Sequence, residues 1–248
     1  IKNKRPNVVA IIQARMGSSR LPGKVLKKIL NKTLLTYLIE RVQNSTFVDK
    51  IVIATTVNKK DKPIVDFCRE NKISCFQGSE EDVLSRYYHA ALLHGASDVI
   101  RLCSDSPLID CNIIDNIVEE YSLRQECDYY SNTIDQSYPL GMNVEVFSME
   151  SLRRANTFAD KDYEREHVTP YIYKNPDLFK VCQSHIDYDF SDIRLTVDEE
   201  EDFQVVKKVI ELLYKDNKFF TLDDIVTLYE KNREIFKINS HIRQKKII

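Results

Sequence analysis

Tryptophan is absent from this chain of 248 residues and glycine occurs only five times. With 43% hydrophobic and 30% charged residues, the composition is that of an ordinary globular protein and favours neither a fibrous architecture nor disorder. No run of about 18 apolar residues is present, so the sequence offers no candidate helical membrane span. The opening Ile1-Lys-Asn-Lys-Arg-Pro6 lacks the apolar stretch of a secretory signal. The six cysteines, Cys68, Cys75, Cys103, Cys111, Cys127 and Cys182, show no CxxC spacing, which argues against a zinc site or a disulfide framework. They read as free thiols in a reducing compartment, and the expectation is a cytoplasmic protein without a membrane partner. An excess of one charge is also missing. The formal net charge is -2, so no sequence-wide basic field exists to bind nucleic acid, and any anionic partner is expected to be small.

What is present is an alternation of apolar strands and amphipathic helices. Val8-Val-Ala-Ile-Ile-Gln13 is a continuous apolar run that ends in a loop bearing Gly, Ser and Pro, as a buried parallel strand does. Leu34, Leu35, Leu38, Ile39 and Val42 then fall at helical spacing, and Lys50 to Thr56 reads as the next strand. The pattern continues with helices at 62–70 and 82–94, strands at 73–76 and 98–104, and a helix at 113–123. It predicts an α/β fold, a mostly parallel, Rossmann-like sheet sandwiched by helices. One domain over 1–248 is expected, with a nucleotide-binding half at 7–125. Residues 126–198 are less regular, with extended pieces at 128–132, 143–147, 179–184 and 194–197 and a helix at 148–155. They are expected to supply acceptor or dimer elements. Residues 199–248 read as two amphipathic helices and a basic tail.

The stretch Ala14 to Lys24 holds what a triphosphate site needs. Gly17 permits close backbone approach, Ser18 and Ser19 carry hydroxyls, and Arg15, Arg20 and Lys24 carry positive charge. It matches neither GxxxxGK[ST] nor GxGxxG, so a P-loop and a dinucleotide fingerprint are both unsupported. Asp105 follows the strand 98–104, and Asp198 follows Leu195-Thr-Val197, read here as a strand. Two carboxylates from separate strand ends beside a polyphosphate suit Mg²⁺, which takes a few carboxylates plus phosphate oxygens.

These stretches resemble the cytidylyltransferase family typified by the spore-coat polysaccharide protein SpsF, related to the CMP-sugar synthetases for ketodeoxyoctonate and acylneuraminate. The likeness runs from Ile11-Ile-Gln-Ala-Arg-Met-Gly-Ser-Ser-Arg-Leu-Pro-Gly-Lys24 through Gly78-Ser-Glu-Glu-Asp-Val-Leu-Ser-Arg-Tyr-Tyr88 and Asp105-Ser-Pro-Leu-Ile-Asp110. It continues in Tyr138-Pro-Leu-Gly-Met-Asn-Val-Glu-Val-Phe147, Tyr163-Glu-Arg-Glu-His-Val-Thr-Pro170 and Arg194-Leu-Thr-Val-Asp198. The resemblance implies a GT-A-like nucleotidyltransferase in which residues 14–24, Met16 among them, wrap CTP. Arg15 and Lys24 then meet the phosphates, backbone near Ala14 reads cytosine, and Asp105 and Asp198 hold Mg²⁺. Ser79 and Asp82 fall where relatives complete the base and ribose pocket, although Ser-Glu-Glu-Asp is equally a helix start.

For the second substrate the candidates are Tyr138, Asn143, Glu145, Arg165, Glu166 and His167. Arg165 suits an acceptor carboxylate or phosphate, and His167 suits a hydroxyl or its proton. The expected reaction is attack of an acceptor oxygen on the α-phosphorus of CTP with loss of pyrophosphate, Arg15, Lys24 and Asp105 being catalytic. A sugar acid of surface polysaccharide synthesis is the expected acceptor. An alditol phosphate, a phosphonate, or use of a finished nucleotide sugar are the alternatives. Family analogy adds a homodimer. Lys24 is followed by Val25 where sialate-type enzymes have Asn, which moves the expected acceptor away from sialate-like sugars. Ser104-Asp105-Ser106 stands where the SpsF pattern has Gly-Asp-Cys.

Overall fold

The computed structural model describes residues 6–124 and 126–244. Ile1 to Arg5, Gln125 and Lys245 to Ile248 lie outside the described residues, and with them most of the N-terminal stretch and the end of the basic tail. β1 (Val8–Gln13) is followed by a ribbon of β2 (Lys28–Ile29) and β3 (Lys32–Thr33), then α1 (Leu34–Gln43), β4 (Lys50–Thr56) and α2 (Lys62–Glu70). Next come β5 (Ser74–Gly78), α3 (Val83–Leu93), β6 (Asp98–Cys103) and α4 (Cys111–Leu123). The later part contains β7 (Tyr129–Ser131), β8 (Glu145–Ser148), α5 (Met149–Phe158), α6 (Asp162–His167), α7 (Pro170–Tyr173) and β9 (Val181–Gln183). α8 (Glu200–Leu213), α9 (Leu222–Lys231) and α10 (Arg233–Lys237) complete the described chain.

Polar residues just ahead of the apolar periodicity start these helices. Thr33 accepts the Thr36 N–H at 3.1 Å to open α1, and Asp82 accepts the Ser85 N–H at 2.9 Å to open α3. Asp110 caps α4 through Asn112 and also accepts the Leu222 N–H at 2.7 Å, tying the start of α9 to the same carboxylate.

Seven strands form one sheet in the order β5-β4-β1-β6-β8-β7-β9. Only β8 runs against the rest, pairing antiparallel with β6 and β7, while the other neighbours pair in parallel. The alternation of β1 divides its side chains between two cores. Val8, Ala10 and Ile12 meet the face covered by α1, α4, α8 and α9, whereas Val9 and Ile11 meet the face covered by α3, α5 and α7. Burial on both faces explains why β1 reads as unbroken apolar sequence.

One expected strand is absent. Arg194 to Val197 forms only an isolated bridge to Leu140, and its backbone bonds are shared between two partners. Leu195 N–H donates to Leu140 O at 2.7 Å, and Val197 N–H donates to Asp105 O at 2.8 Å. The segment changes partner after two residues, so no ladder develops. Gly141, at φ 101, allows this crossing, since a Cβ there would lie 2.7 Å from the Leu195 carbonyl carbon and the Thr196 nitrogen.

Candidate active site

At β1 and β6 the strand order reverses, the crevice position at which open α/β sheets take ligands beyond the carboxyl ends of their strands. A cleft of 950 Å³ opens there. β1 delivers the loop 14–23 into it. The Met16 carbonyl accepts N–H groups from Ser18 at 3.0 Å and Gly23 at 2.9 Å, folding the loop back on itself. Gly23, at φ 69, then turns the chain into a single 3-10 turn beginning at Lys24. From beneath, fully buried Asp61 accepts the Met16 N–H at 2.6 Å with one oxygen and the Thr56 hydroxyl with the other. Sequence reasoning passed over Asp61 because Asn58-Lys-Lys-Asp-Lys-Pro reads as a charged surface turn.

Lys24 lies under this loop and is almost wholly buried. Its Nζ donates to Val197 O at 2.6 Å, Asp198 Oδ1 at 2.9 Å and Asp105 Oδ2 at 3.3 Å. The carboxylates singled out from sequence therefore converge on one nitrogen. Burial alone would lower the Lys24 pKa, but Asp105 and Asp198 outweigh it and raise it. Burial would likewise raise the Asp198 carboxyl, and Lys24, Arg20 and Arg194 outweigh that and hold it low. Arg20 reaches Asp198 at 3.1 Å and Glu199 at 3.1 Å. Arg194 binds Asp198 at 3.0 Å and, through Nε, buried Asp202 at 2.8 Å.

Asp202 also accepts the backbone N–H of Asp198 at 3.0 Å and of Glu199 at 3.1 Å, so α8 anchors the segment that carries Asp198. The sequence places Asp202 only within the first of the two C-terminal helices and gives it no role at the site. Two carboxylates that meet one ammonium also fit one divalent ion. Among the described residues no cluster of three or more His, Cys, Asp or Glu forms a metal cage. A Mg²⁺ ion held by Asp105 and Asp198 would therefore complete its shell with water and substrate oxygens, which is how that ion is commonly bound.

Ala14, Arg15, Ser18, Ser19 and Arg20 line the cleft beside Lys24. The backbone of Met16 and Gly17 instead shapes the loop, and a Cβ on Gly17 would lie 3.0 Å from Lys60 Nζ. At the opposite wall, Asp82 lines the cleft while capping α3, and Ser79 Oγ accepts the Asp82 N–H at 3.0 Å. Arg165 also lines it, but its guanidinium is fully engaged. It grips Asp82 at 3.0 and 2.5 Å and donates to Asn156 O at 2.8 Å and Asn156 Oδ1 at 3.1 Å. The expected anion-binding arginine is thus a latch between α6 and the start of α3.

Glu166 and His167 face the cleft as well. Burial pulls the His167 pKa below the ordinary imidazole value. Val168, next in sequence, is buried at φ 74, and Thr169 N–H donates back to His167 O at 2.9 Å, closing a γ-turn. A β-branched residue held there is strained, as is common beside functional side chains.

Thr169 Oγ1 then donates to Glu145 at 2.6 Å. Glu145 is buried beneath the cleft, bound to Arg101 and to Tyr129 OH at 2.7 Å. Tyr138 packs in the core, and Asn143 has a buried Oδ1 without a partner. Those three are not among the cleft's lining residues.

A family model described as cytidylyltransferase matches residues 9–247. An uncharacterized protein of Methanocaldococcus jannaschii is 39% identical over 243 residues, covering 96% of each chain. The spore coat polysaccharide biosynthesis protein SpsF of Bacillus subtilis is 33% identical over 233 residues, covering 91% of this chain and 95% of its own. The solved structure of a cytidylyltransferase from Leptospira borgpetersenii superposes with a TM-score of 0.89 at 32% identity, over 97% of this chain and 100% of that one. The match over nearly the whole chain places this protein in the cytidylyltransferase family, and it is a nucleotidyltransferase enzyme.

Proposed function

We propose that the protein transfers CMP from CTP to an acceptor oxygen and releases pyrophosphate, with Mg²⁺ held by Asp105 and Asp198. The observation that carries this reading is the convergence of both carboxylates on the Lys24 ammonium directly under the loop 14–23. The loop supplies Arg15, Arg20 and the hydroxyls of Ser18 and Ser19 to the triphosphate. Arg15 is half exposed at the rim and, among the described residues, held only by a 3.9 Å ion pair to Glu80, so its charge can turn to the departing pyrophosphate. A Mg²⁺ ion, when bound, supplies positive charge to phosphate oxygens that become more negative during transfer.

The acceptor enters from the wall formed by α6, where His167, its imidazole pKa lowered by burial, takes or orients the hydroxyl proton. Glu166 stands beside it. SpsF is named for polysaccharide biosynthesis, and a sugar-acid precursor of a surface polysaccharide is the acceptor class proposed here. The same site accommodates an alditol phosphate or phosphonate only if a cation other than Arg165 receives the second anion, since Arg165 is committed to Asp82 and Asn156. A homodimer acting in the cytoplasm completes the proposal.

The test is pyrophosphate release from CTP, with and without Mg²⁺, across sugar acids, alditol phosphates and phosphonates. Acceptor-dependent release with CTP is expected. Faster release from another nucleoside triphosphate would overturn the base assignment, and release of a nucleoside diphosphate from a nucleotide sugar would overturn the reaction class.

A further inference from the structure

The cleft has two chemically different ends. One is the Lys24, Asp105 and Asp198 cluster beside β6. The other lies three strands away, where β5 ends and α3 begins. At the usual inter-strand spacing this is about 14 Å. If the phosphates occupy the first end, the base lies toward the second.

Arg86, on the first turns of α3, forms part of that wall and is 3% exposed. Its guanidinium makes one hydrogen bond, from NH1 to the Ser79 carbonyl, and its Nε is buried without a partner. Among the described residues no carboxylate lies within ion-pair distance of it. Arg41 and Arg101 each also keep one buried nitrogen without a partner, but Arg41 donates to two carbonyls and stacks on Phe220 at 4.0 Å, Arg101 and Arg194 are bound to carboxylates, and neither Arg41 nor Arg101 lines the cleft. A buried guanidinium with five donors and one acceptor is costly unless something else completes it.

The backbone is shaped to admit this side chain. A Cβ on Gly78 would fall 3.0 Å from Arg86 Cγ and 3.2 Å from its Cβ, so the last residue of β5 is bare where the arginine stem passes. Arg86 is thus an accommodated side chain at the cleft with donor capacity left over.

Resting on the cytidylyl-transfer reading above, we propose that Arg86 reads the nucleotide base and selects one that presents two adjacent acceptors. Cytosine does so with O2 and N3. Uracil replaces the N3 acceptor with an N–H, which opposes a guanidinium donor. A planar fork recognises two neighbouring acceptors where a lysine, a single point charge, does not.

The experiment measures equilibrium binding of CTP, UTP, GTP and inorganic tripolyphosphate, each with Mg²⁺, to the wild type, Arg86→Lys and Gly78→Ala. Tripolyphosphate carries no base, so its binding reports an intact phosphate end and a folded protein. The wild type is expected to prefer CTP. Arg86→Lys is expected to lose about 5- to 150-fold in CTP affinity, the range for a bidentate base contact, and its CTP over UTP preference should collapse. Tripolyphosphate affinity should stay within about twofold, and Gly78→Ala should shift CTP selectivity in the same direction by displacing the arginine stem. Equal losses for CTP and tripolyphosphate in Arg86→Lys would overturn the proposal. So would unchanged CTP selectivity in both variants. A wild-type protein without preference for CTP would instead overturn the cytidylyl reading on which this rests.

Discussion

Replacing Asp61 by alanine tests whether the phosphate-facing loop is held from below. The Asp61 carboxylate is fully buried and has two donors directed at it, the Met16 N–H at 2.6 Å and the Thr56 hydroxyl. Truncation leaves the amide with no acceptor and the hydroxyl short of one, and each buried donor left unpaired costs about 1 to 3 kcal/mol. Thr56 Oγ1 also accepts from Asn58 N–H at 3.1 Å and can rotate, so its share falls at the low end. The expected loss is about 2 to 4 kcal/mol, a large fraction of the usual stability of about 5 to 15 kcal/mol. Asparagine keeps an oxygen for Met16 and an N–H₂ that the Thr56 hydroxyl can accept, so Asp61→Asn should lose less than about 1 kcal/mol. Urea unfolding with an unchanged slope measures the loss, and tripolyphosphate binding measures the loop. If Asp61→Ala unfolds within about 0.5 kcal/mol of the wild type, the anchoring argument is wrong, that difference being ordinary for neutral surface changes. A destabilised variant that still binds tripolyphosphate normally would confine Asp61 to stability.

Three further outcomes are expected. Asp105→Asn should fold normally and lose at least about 100-fold in pyrophosphate release, as removal of a key electrostatic group does; an unimpaired Mg²⁺-dependent rate would remove Asp105 from the metal site. Arg165→Lys should destabilise the protein nearly as much as Arg165→Met, because one ammonium cannot grip both Asp82 oxygens and the two Asn156 oxygens, and full rescue in urea unfolding would count against the latch. For His167 the folded pKa lies below the ordinary 6.5, so protonation favours the unfolded chain. Its stabilising effect is present above 6.5 and is lost as pH falls from there through the folded value. Turnover should share that acid limb, and an acid limb of kcat/KM unchanged in His167→Asn would show that another group titrates.

The first half of the fold was legible because each of its strands and helices carries its own periodicity. β1, β4 and β6 are apolar runs closed by loop residues, and α1 and α3 begin at Thr33 and Asp82. Arg194 to Val197 misled because an alternating Arg-Leu-Thr-Val pattern reports burial on one side, and burial here comes from a crossing rather than from a ladder. At the site, Lys24, Asp105 and Asp198 could be chosen from their residue types and loop positions. Asp61 could not, because its partner Met16 is far away in sequence, and Arg194 and Asp202 could not, because the irregular backbone between them, which brings both to Asp198, leaves no periodic signal. Arg165 shows the converse. An arginine between acidic residues looks available until its five donors are traced to Asp82, Asn156 and Ala159.

The charge arrangement at the phosphate end supports the proposed divalent ion on grounds independent of the family. Lys24, Arg20 and Arg194 stand against Asp105, Asp198, Asp202 and Glu199, three cations against four carboxylates in contact. One carboxylate is thus in excess, and the cluster is slightly negative without substrate. It therefore has little attraction left for a triphosphate, although the loop immediately above supplies Arg15. Bringing polyphosphate oxygens toward Asp105 and Asp198 requires added positive charge between them, since like charges at such range in a partly buried site repel by several kcal/mol. Lys24 holds the two carboxylates together through Val197 O and both acids, and the backbone bond from Val197 to Asp105 keeps their segments in register. On this argument Lys24→Met should weaken Mg²⁺–CTP binding by disordering the carboxylates as well as by removing a charge. Tripolyphosphate binding measured without Mg²⁺ should change much less. Equal weakening in both conditions would place Lys24 on the phosphates alone and remove its role in holding the acids.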